Sequence, residues 1–135
     1  MKERKINIET KRLLNYKLFD EFQNICRVYA LDMVPPIIVI SKNKNKLGSW
    51  DESRRIITIS EELIFSQPWY VTIEVLKHEM AHLICSELYK EKKSGHGTRF
   101  QEACEHLQIN PSFRKRHCEL ESLDRRVNEN NENPI

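Results

Sequence analysis

The sequence predicts an α+β domain, in which a small sheet of three or more strands packs on an N-terminal helix and on a second, longer helix. Two observations predict this class. Apolar residues recur every three or four positions over Ile8–Leu31 and again from Pro68 to about Lys90, as on helices with one buried face. Between these two helices, β-branched residues are concentrated at Ile37–Ile40 and Arg55–Ile59, as is typical of strands.

The strand region is expected to contain a hairpin. Pro35 and Pro36 stop the first helix and introduce the extended run Ile37–Ile40. Leu47–Asp51 and Arg55–Ile59 then flank a short polar turn, which is the pattern of two strands joined in a hairpin. The three runs together give the predicted minimum of three strands.

Three helices after the strands, the long one among them, are predicted from the residues that begin them. A capping hydroxyl followed by acidic residues, a proline at a first-turn position and a capping box are all signals of a helix start. The predicted helices are Glu61–Phe65 after the cap Ser60, Pro68 to about Lys90, and Arg99–Leu107 after the capping box Thr98-x-x-Gln101.

Size, charge and cysteine spacing limit the classes of function. A chain of 135 residues and 16.1 kDa fits one domain with a single modest core. The net charge of +2 is too small to argue for nucleic-acid binding from overall electrostatics. The four cysteines are widely spaced and form no Cys-x-x-Cys, which excludes a zinc ribbon and a dithiol redox motif. Since no stretch is long and apolar enough for a membrane span and no secretory signal is visible, we expect a cytoplasmic protein.

The most informative motif is His78-Glu79-Met80-Ala81-His82, inside the long predicted helix. Residues four apart lie one above the other on a helix, so His78 and His82 can present their imidazoles to one zinc ion. Glu79 lies beside them as the candidate general base for a zinc-activated water. Taken alone, the five-residue pattern is equally consistent with a pair of surface histidines, because it also arises by chance.

A catalytic zinc site needs a third protein ligand and an open position for water. His96 is the best candidate, because it stands between two glycines in the turn that follows the long helix and precedes the next one. Glu102 and Glu105 on that next helix are the alternatives, and either of them would make a site of two histidines and one glutamate.

The motifs together resemble the SprT-like (Spartan-type) zinc metallopeptidase domain, whose pattern is HExxH, a variable linker and then His-Gly-x-x-Phe. Here the second part of that pattern is His96-Gly97-Thr98-Arg99-Phe100. The preceding stretch Ile57–Leu63 is similar to the strand and short helix that lead to HExxH in that family. The resemblance covers about Leu47 to Ile109, and the paired motifs are considerably more specific than HExxH alone.

The resemblance implies a minimal zincin-like fold and a zinc metalloendopeptidase activity. It places zinc on His78, His82 and His96, with Glu79 as the general base. It also implies that an edge strand, here within Leu47–Ile59, lies along the cleft and pairs with the backbone of a protein or peptide substrate. Many members carry a cysteine-based zinc ribbon or another DNA-binding module after this domain, and this sequence shows neither, so DNA-linked substrates are not implied.

We expect a single SprT-like domain over residues 1–124 and a polar, Asn-rich tail over 125–135 that is disordered. A second class of function stays open: a nucleic-acid-associated or regulatory module with a structural zinc and no protease activity. It depends on the basic runs Lys42–Lys46 and Arg114–Arg116, through which we expect weak, salt-dependent association with DNA phosphates.

Overall fold

The computed structural model describes residues 7–90 and 97–110. In this part of the chain, four helices and a three-stranded sheet confirm the predicted α+β class. The predicted tail at 125–135 lies outside the described residues, and the domain limits 1–124 stay a prediction. The elements are α1 (Ile8–Val28), β1 (Ile37–Ser41), β2 (Gly48–Asp51), β3 (Ile56–Ser60), α2 (Glu61–Ser66), α3 (Trp69–Glu87) and α4 (Thr98–His106).

The sheet has the strand order β1-β3-β2. The central strand β3 pairs in parallel with β1, from Ile37 opposite Ile56 onward, and antiparallel with β2, in which Gly48 lies opposite Ile59. The predicted hairpin is therefore β2–β3. Its turn closes at Arg55, which adopts a left-handed backbone conformation with φ of 54°. Strand β2 consequently forms one edge of the sheet.

The core lies between the sheet and the helices. Helix α1 contributes Leu18, Phe22 and Ile25 from the face that its three-and-four spacing predicts. The alternating residues Ile57 and Ile59 of β3 are completely buried. Helix α3 contacts β2, β3, α2 and α4, so it is enclosed on several sides. No helix in residues 7–90 and 97–110 is long and apolar enough to cross a membrane.

Two of the predicted helix starts are displaced by one residue. Pro68 is the N-cap of α3 and not a first-turn residue, because the helix begins at Trp69. The predicted capping box is wrong: α4 begins at Thr98, its N-cap is Gly97, and no side chain caps it. Since Thr98 is the first helical residue, its hydroxyl is not at the cap position. The cap of α2 is confirmed, because Ser60 Oγ accepts a hydrogen bond from the Leu63 amide at 3.1 Å.

Candidate metal centre

Helix α3 brings His78 and His82 together on one face. Their ring centroids lie 5.2 Å apart with an angle of 71° between the ring planes. The His78 side chain is buried at 1% exposure, and His82 is half-buried. The i, i+4 arrangement predicted from the sequence is therefore present, with the His78 ring inside the protein and the His82 ring partly exposed.

Glu79 is buried beside this pair, at the point where β2 crosses α3. Its exposure is 1%. Gly48, the first residue of β2, packs so closely there that a methyl group on it would lie 2.9 Å from Val75 Cγ1 and 3.4 Å from Glu79 Cγ. The backbone of the edge strand thus lies directly against the candidate general base. This contact of Gly48 is not predicted from the sequence, although a glycine inside a strand is a signal of close backbone approach.

Helix α4 covers the two histidines with an aromatic side chain. The ring of Phe100 lies 5.0 Å from that of His78, at 64°, and 4.4 Å from that of His82, at 32°. Phe100 itself is 1% exposed. In the sequence this residue is only the last position of a motif, and its contact with both imidazoles depends on how α4 packs on α3.

The third ligand is not assigned by the described residues. His96 lies outside them, immediately before Gly97, the N-cap of α4. Within residues 7–90 and 97–110, no three His, Cys, Asp or Glu side chains form a group able to hold a metal ion. Glu102 and Glu105 are exposed on α4 and therefore do not complete a site with the histidine pair in this structure. The assignment of His96 stays a prediction.

The side chains present fit a zinc ion by their chemistry. Two imidazoles one helical turn apart are nitrogen donors of the kind that zinc prefers, and they would supply two of the three protein ligands that a catalytic site needs. Glu79 adds a buried carboxylate next to them.

Beyond Gly48, the edge strand borders a shallow depression on the protein surface. Trp50 is half-buried, and its indole N–H has no hydrogen-bond partner among the described residues. Asp51 accepts hydrogen bonds from Ser53 Oγ and the Arg54 amide, which lower the pKa of its carboxyl group. The depression is lined by Lys46, Ser49, Trp50, Asp51, Glu52 and Ser53. This lining makes the outer side of β2 a mixed polar and aromatic surface.

The basic run between β1 and β2 is described, and its lysines are exposed. The second basic run, Arg114–Arg116, lies outside the described residues. Weak DNA association through these two runs stays a prediction.

A helix carrying HExxH beside a small mixed sheet, with an edge strand against the glutamate, has the architecture of zincin-like domains. The sequence matches the SprT-like family over residues 14–121. The chain therefore belongs to the SprT-like family, as its motifs predict.

Two solved structures have a similar fold. One is the metallopeptidase zymogen jannalysin of Methanocaldococcus jannaschii, at 16% identity and a TM-score of 0.55, covering 80% of this chain and 95% of that one. The other is the metallopeptidase zymogen abylysin of Pyrococcus abyssi, at 19% identity and a TM-score of 0.54, covering 87% and 99%. No curated protein matches this chain significantly in sequence. At these identities the two structures establish the fold, which is the zincin-like fold that the sequence predicts.

Proposed function

We propose that this protein is a zinc-dependent metalloendopeptidase. The observation that carries the proposal is that the buried Glu79, which follows His78 in α3, packs against the edge strand at Gly48, while the rings of His78 and His82 lie together on the same helix. Membership of the SprT-like family supports it, as does a fold shared with two metallopeptidase zymogens.

In this proposal His78, His82 and His96 hold the zinc ion. A bound zinc ion would polarise the scissile carbonyl and lower the pKa of water. Glu79 takes the proton from the attacking water and returns it to the leaving amine, as a general base and then a general acid. Its burial keeps competing water away from the carboxylate and strengthens its electrostatic interactions.

The substrate class is an extended segment of a protein or peptide. Strand β2 is an edge strand that pairs with β3, and its first residue touches the helix at Glu79. A peptide that adds to this edge as a further strand would bind mainly through main-chain hydrogen bonds, with few demands on its side chains. The peptide bond to be cleaved would then lie close to the glutamate.

The test measures zinc content and cleavage of unfolded casein by the wild type and by Glu79→Gln. We expect about one zinc per chain in both proteins, and a loss of cleavage of at least ~100-fold in the variant, because general base catalysis contributes roughly 10²–10⁴-fold. Chelation should stop cleavage by the wild type, and added zinc should restore it. A wild type that binds zinc and cleaves neither casein nor a peptide library would favour a structural zinc without protease activity.

The same zinc measurement assigns the third ligand. We expect His96→Ala to weaken zinc binding strongly, whereas Glu102→Ala should leave it unchanged, because that glutamate is exposed and pairs with Arg99 at 3.4 Å. Glu105→Ala, on the exposed face of the same helix, is the second control. The reverse order of effects would move the site to the class with a glutamate ligand.

A further inference from the structure

Three aromatic rings from two helices form a closed cluster at the candidate metal centre. The centroid distances are 5.2 Å between His78 and His82, 5.0 Å between His78 and Phe100, and 4.4 Å between His82 and Phe100. Phe100 and His78 are both 1% exposed. We propose that Phe100 is a positioning residue, which holds the two imidazoles in their metal-binding orientation. This inference rests on the proposed metal site.

The geometry explains how one side chain acts on both ligands. The ring of Phe100 lies tilted by 32° over that of His82, and it meets that of His78 at 64° in an edge-to-face contact. Both are favourable arrangements for aromatic pairs. Because Phe100 is buried, neither imidazole can rotate freely on that side without displacing a packed ring.

Restricting the rings before the metal arrives favours binding. A ligand side chain that is already held in its bound orientation loses less conformational freedom when the metal is coordinated. Phe100 also lies in the first turn of α4, whose N-cap Gly97 directly follows His96 in the chain. Packing of one ring therefore holds the start of α4 against the helix that carries the other two predicted ligands.

A purely structural role predicts a different outcome, and the chain offers a matched control. Phe22 in α1 is as buried as Phe100, at 1% exposure, and belongs to the same apolar core. Among the described residues, it has no ring contact with either histidine. If Phe100 only fills space, Phe100→Leu and Phe22→Leu should change the thermal stability by similar amounts. They should also change the metal affinity by similar amounts.

The experiment titrates the chelator-treated chain of 135 residues with Co²⁺ and follows the visible absorption of the bound ion. Proteins compared are the wild type, Phe100→Leu and Phe22→Leu, with thermal unfolding of each metal-free protein measured in parallel. We expect Phe100→Leu to bind Co²⁺ about 10- to 100-fold more weakly, the usual cost of losing a side chain that orients metal ligands, and to show an altered absorption spectrum. Phe22→Leu should keep the wild-type affinity within about threefold, because its site is independent.

Phe100→Met provides a second variant without a ring if the leucine variant does not fold. Wild-type-like affinity in a folded Phe100 variant, or an equal loss in Phe22→Leu, would overturn the positioning role and leave the proposed peptidase standing. A wild type that binds no Co²⁺ would overturn both the metal site and the role of Phe100. Neither the Co²⁺ titration nor the unfolding measurement needs a substrate. The positioning role is therefore tested separately from the peptidase activity.

Discussion

Helix α3 is held on two sides by contacts of different kinds. On the sheet side, the backbone of Gly48 packs against Val75 and Glu79 with no room for a methyl group. On the α4 side, the ring of Phe100 packs against the rings of the two histidines. The first contact involves a strand that precedes the helix, and the second involves a helix that follows it. The general base and the metal ligands of the proposed site are therefore positioned by different parts of the chain.

This difference has a mechanical consequence. On the sheet side, β2 is paired with β3 over all four of its residues, so a shift of β2 alone would break that pairing. The α4 side depends on side-chain packing, in which a substitution is absorbed by shifts of the rings. We expect a change on the sheet side to act first on stability and on Glu79, and a change on the α4 side to act first on the histidines.

The largest loss of stability is expected for the substitution Gly48→Ala. The added methyl group would lie 2.9 Å from Val75 Cγ1 and 3.0 Å from the carbonyl oxygen of Thr58, so that β2 or α3 must shift. Overpacking of this kind costs about 1–3 kcal/mol of the free energy of unfolding, which chemical denaturation measures. Zinc content should be retained while casein cleavage falls, because the shift occurs at Glu79 and not at the ligands.

Val75→Ala in the same chain makes this prediction sharper. It removes the nearest clashing atom. The double variant should therefore lose less free energy of unfolding than the sum of the losses in the two single variants. Ser49→Ala, at the half-buried neighbouring position, is the matched control and should change stability little. Additive effects of Gly48→Ala and Val75→Ala would contradict the close contact.

The second-largest loss of stability is expected at the C-terminal end of α3, where an ion pair holds the helix. Arg55 Nη2 donates hydrogen bonds to Glu87 Oε1 at 2.7 Å and to the carbonyl oxygen of Val34 at 2.8 Å. Both charged side chains are about one-third exposed, so the pair is partly screened by solvent. We expect Arg55→Ala to lower the free energy of unfolding by about 1–2 kcal/mol, from the loss of charge-assisted hydrogen bonds.

Two comparisons isolate the origin of that loss. Arg99→Ala removes an exposed ion pair within α4 and a cation–π contact with the Tyr89 ring, 5.4 Å away, and should cost less than about 1 kcal/mol. Arg55→Gly also removes the ion pair, but glycine accepts the left-handed backbone conformation at φ of 54° without strain, so it should be more stable than Arg55→Ala. Equal losses in Arg55→Ala and Arg99→Ala would mean that the contact at the end of α3 contributes nothing specific.

The sequence predicts the elements and the histidine pair because both depend on local spacing. The buried stripe of α1 and the pair His78 and His82 follow from helical periodicity, and the β2–β3 hairpin follows from strand patterns around a turn. What could not be predicted depends on tertiary contacts. Whether Gly48 approaches α3, and whether Phe100 covers the histidines, depends on the packing of separate elements. The predicted cap of α4 is wrong by one residue, because the first residue of a helix is uncertain by one or two positions in any sequence pattern.

The smallest effect is expected from Cys104, on α4 and buried in the core that this helix shares with α3. Burial, together with the charge of the neighbouring Cys85, raises the pKa of the Cys104 thiol to about 12, from an ordinary value of 9.0. The folded state therefore keeps the proton that the unfolded chain loses as the pH rises above 9. The contribution of this thiol to stability is complete below that pH and is lost as the pH rises toward 12.

The measurement compares the free energy of unfolding at pH 8 and at about pH 9.5, where the unfolded thiol is partly ionised. The wild type should lose more stability over this interval than Cys104→Ala, which lacks the titrating group, although the alanine variant starts lower because of the cavity it leaves. Cys26, which is half-buried, should react with iodoacetamide at pH 8 before Cys104 does. The substitution Cys118→Ser simplifies this labelling experiment. Parallel pH curves for the wild type and Cys104→Ala would mean that α4 leaves this thiol accessible to solvent. The α4 side of α3 would then be loosely packed, in contrast to the close contact at Gly48.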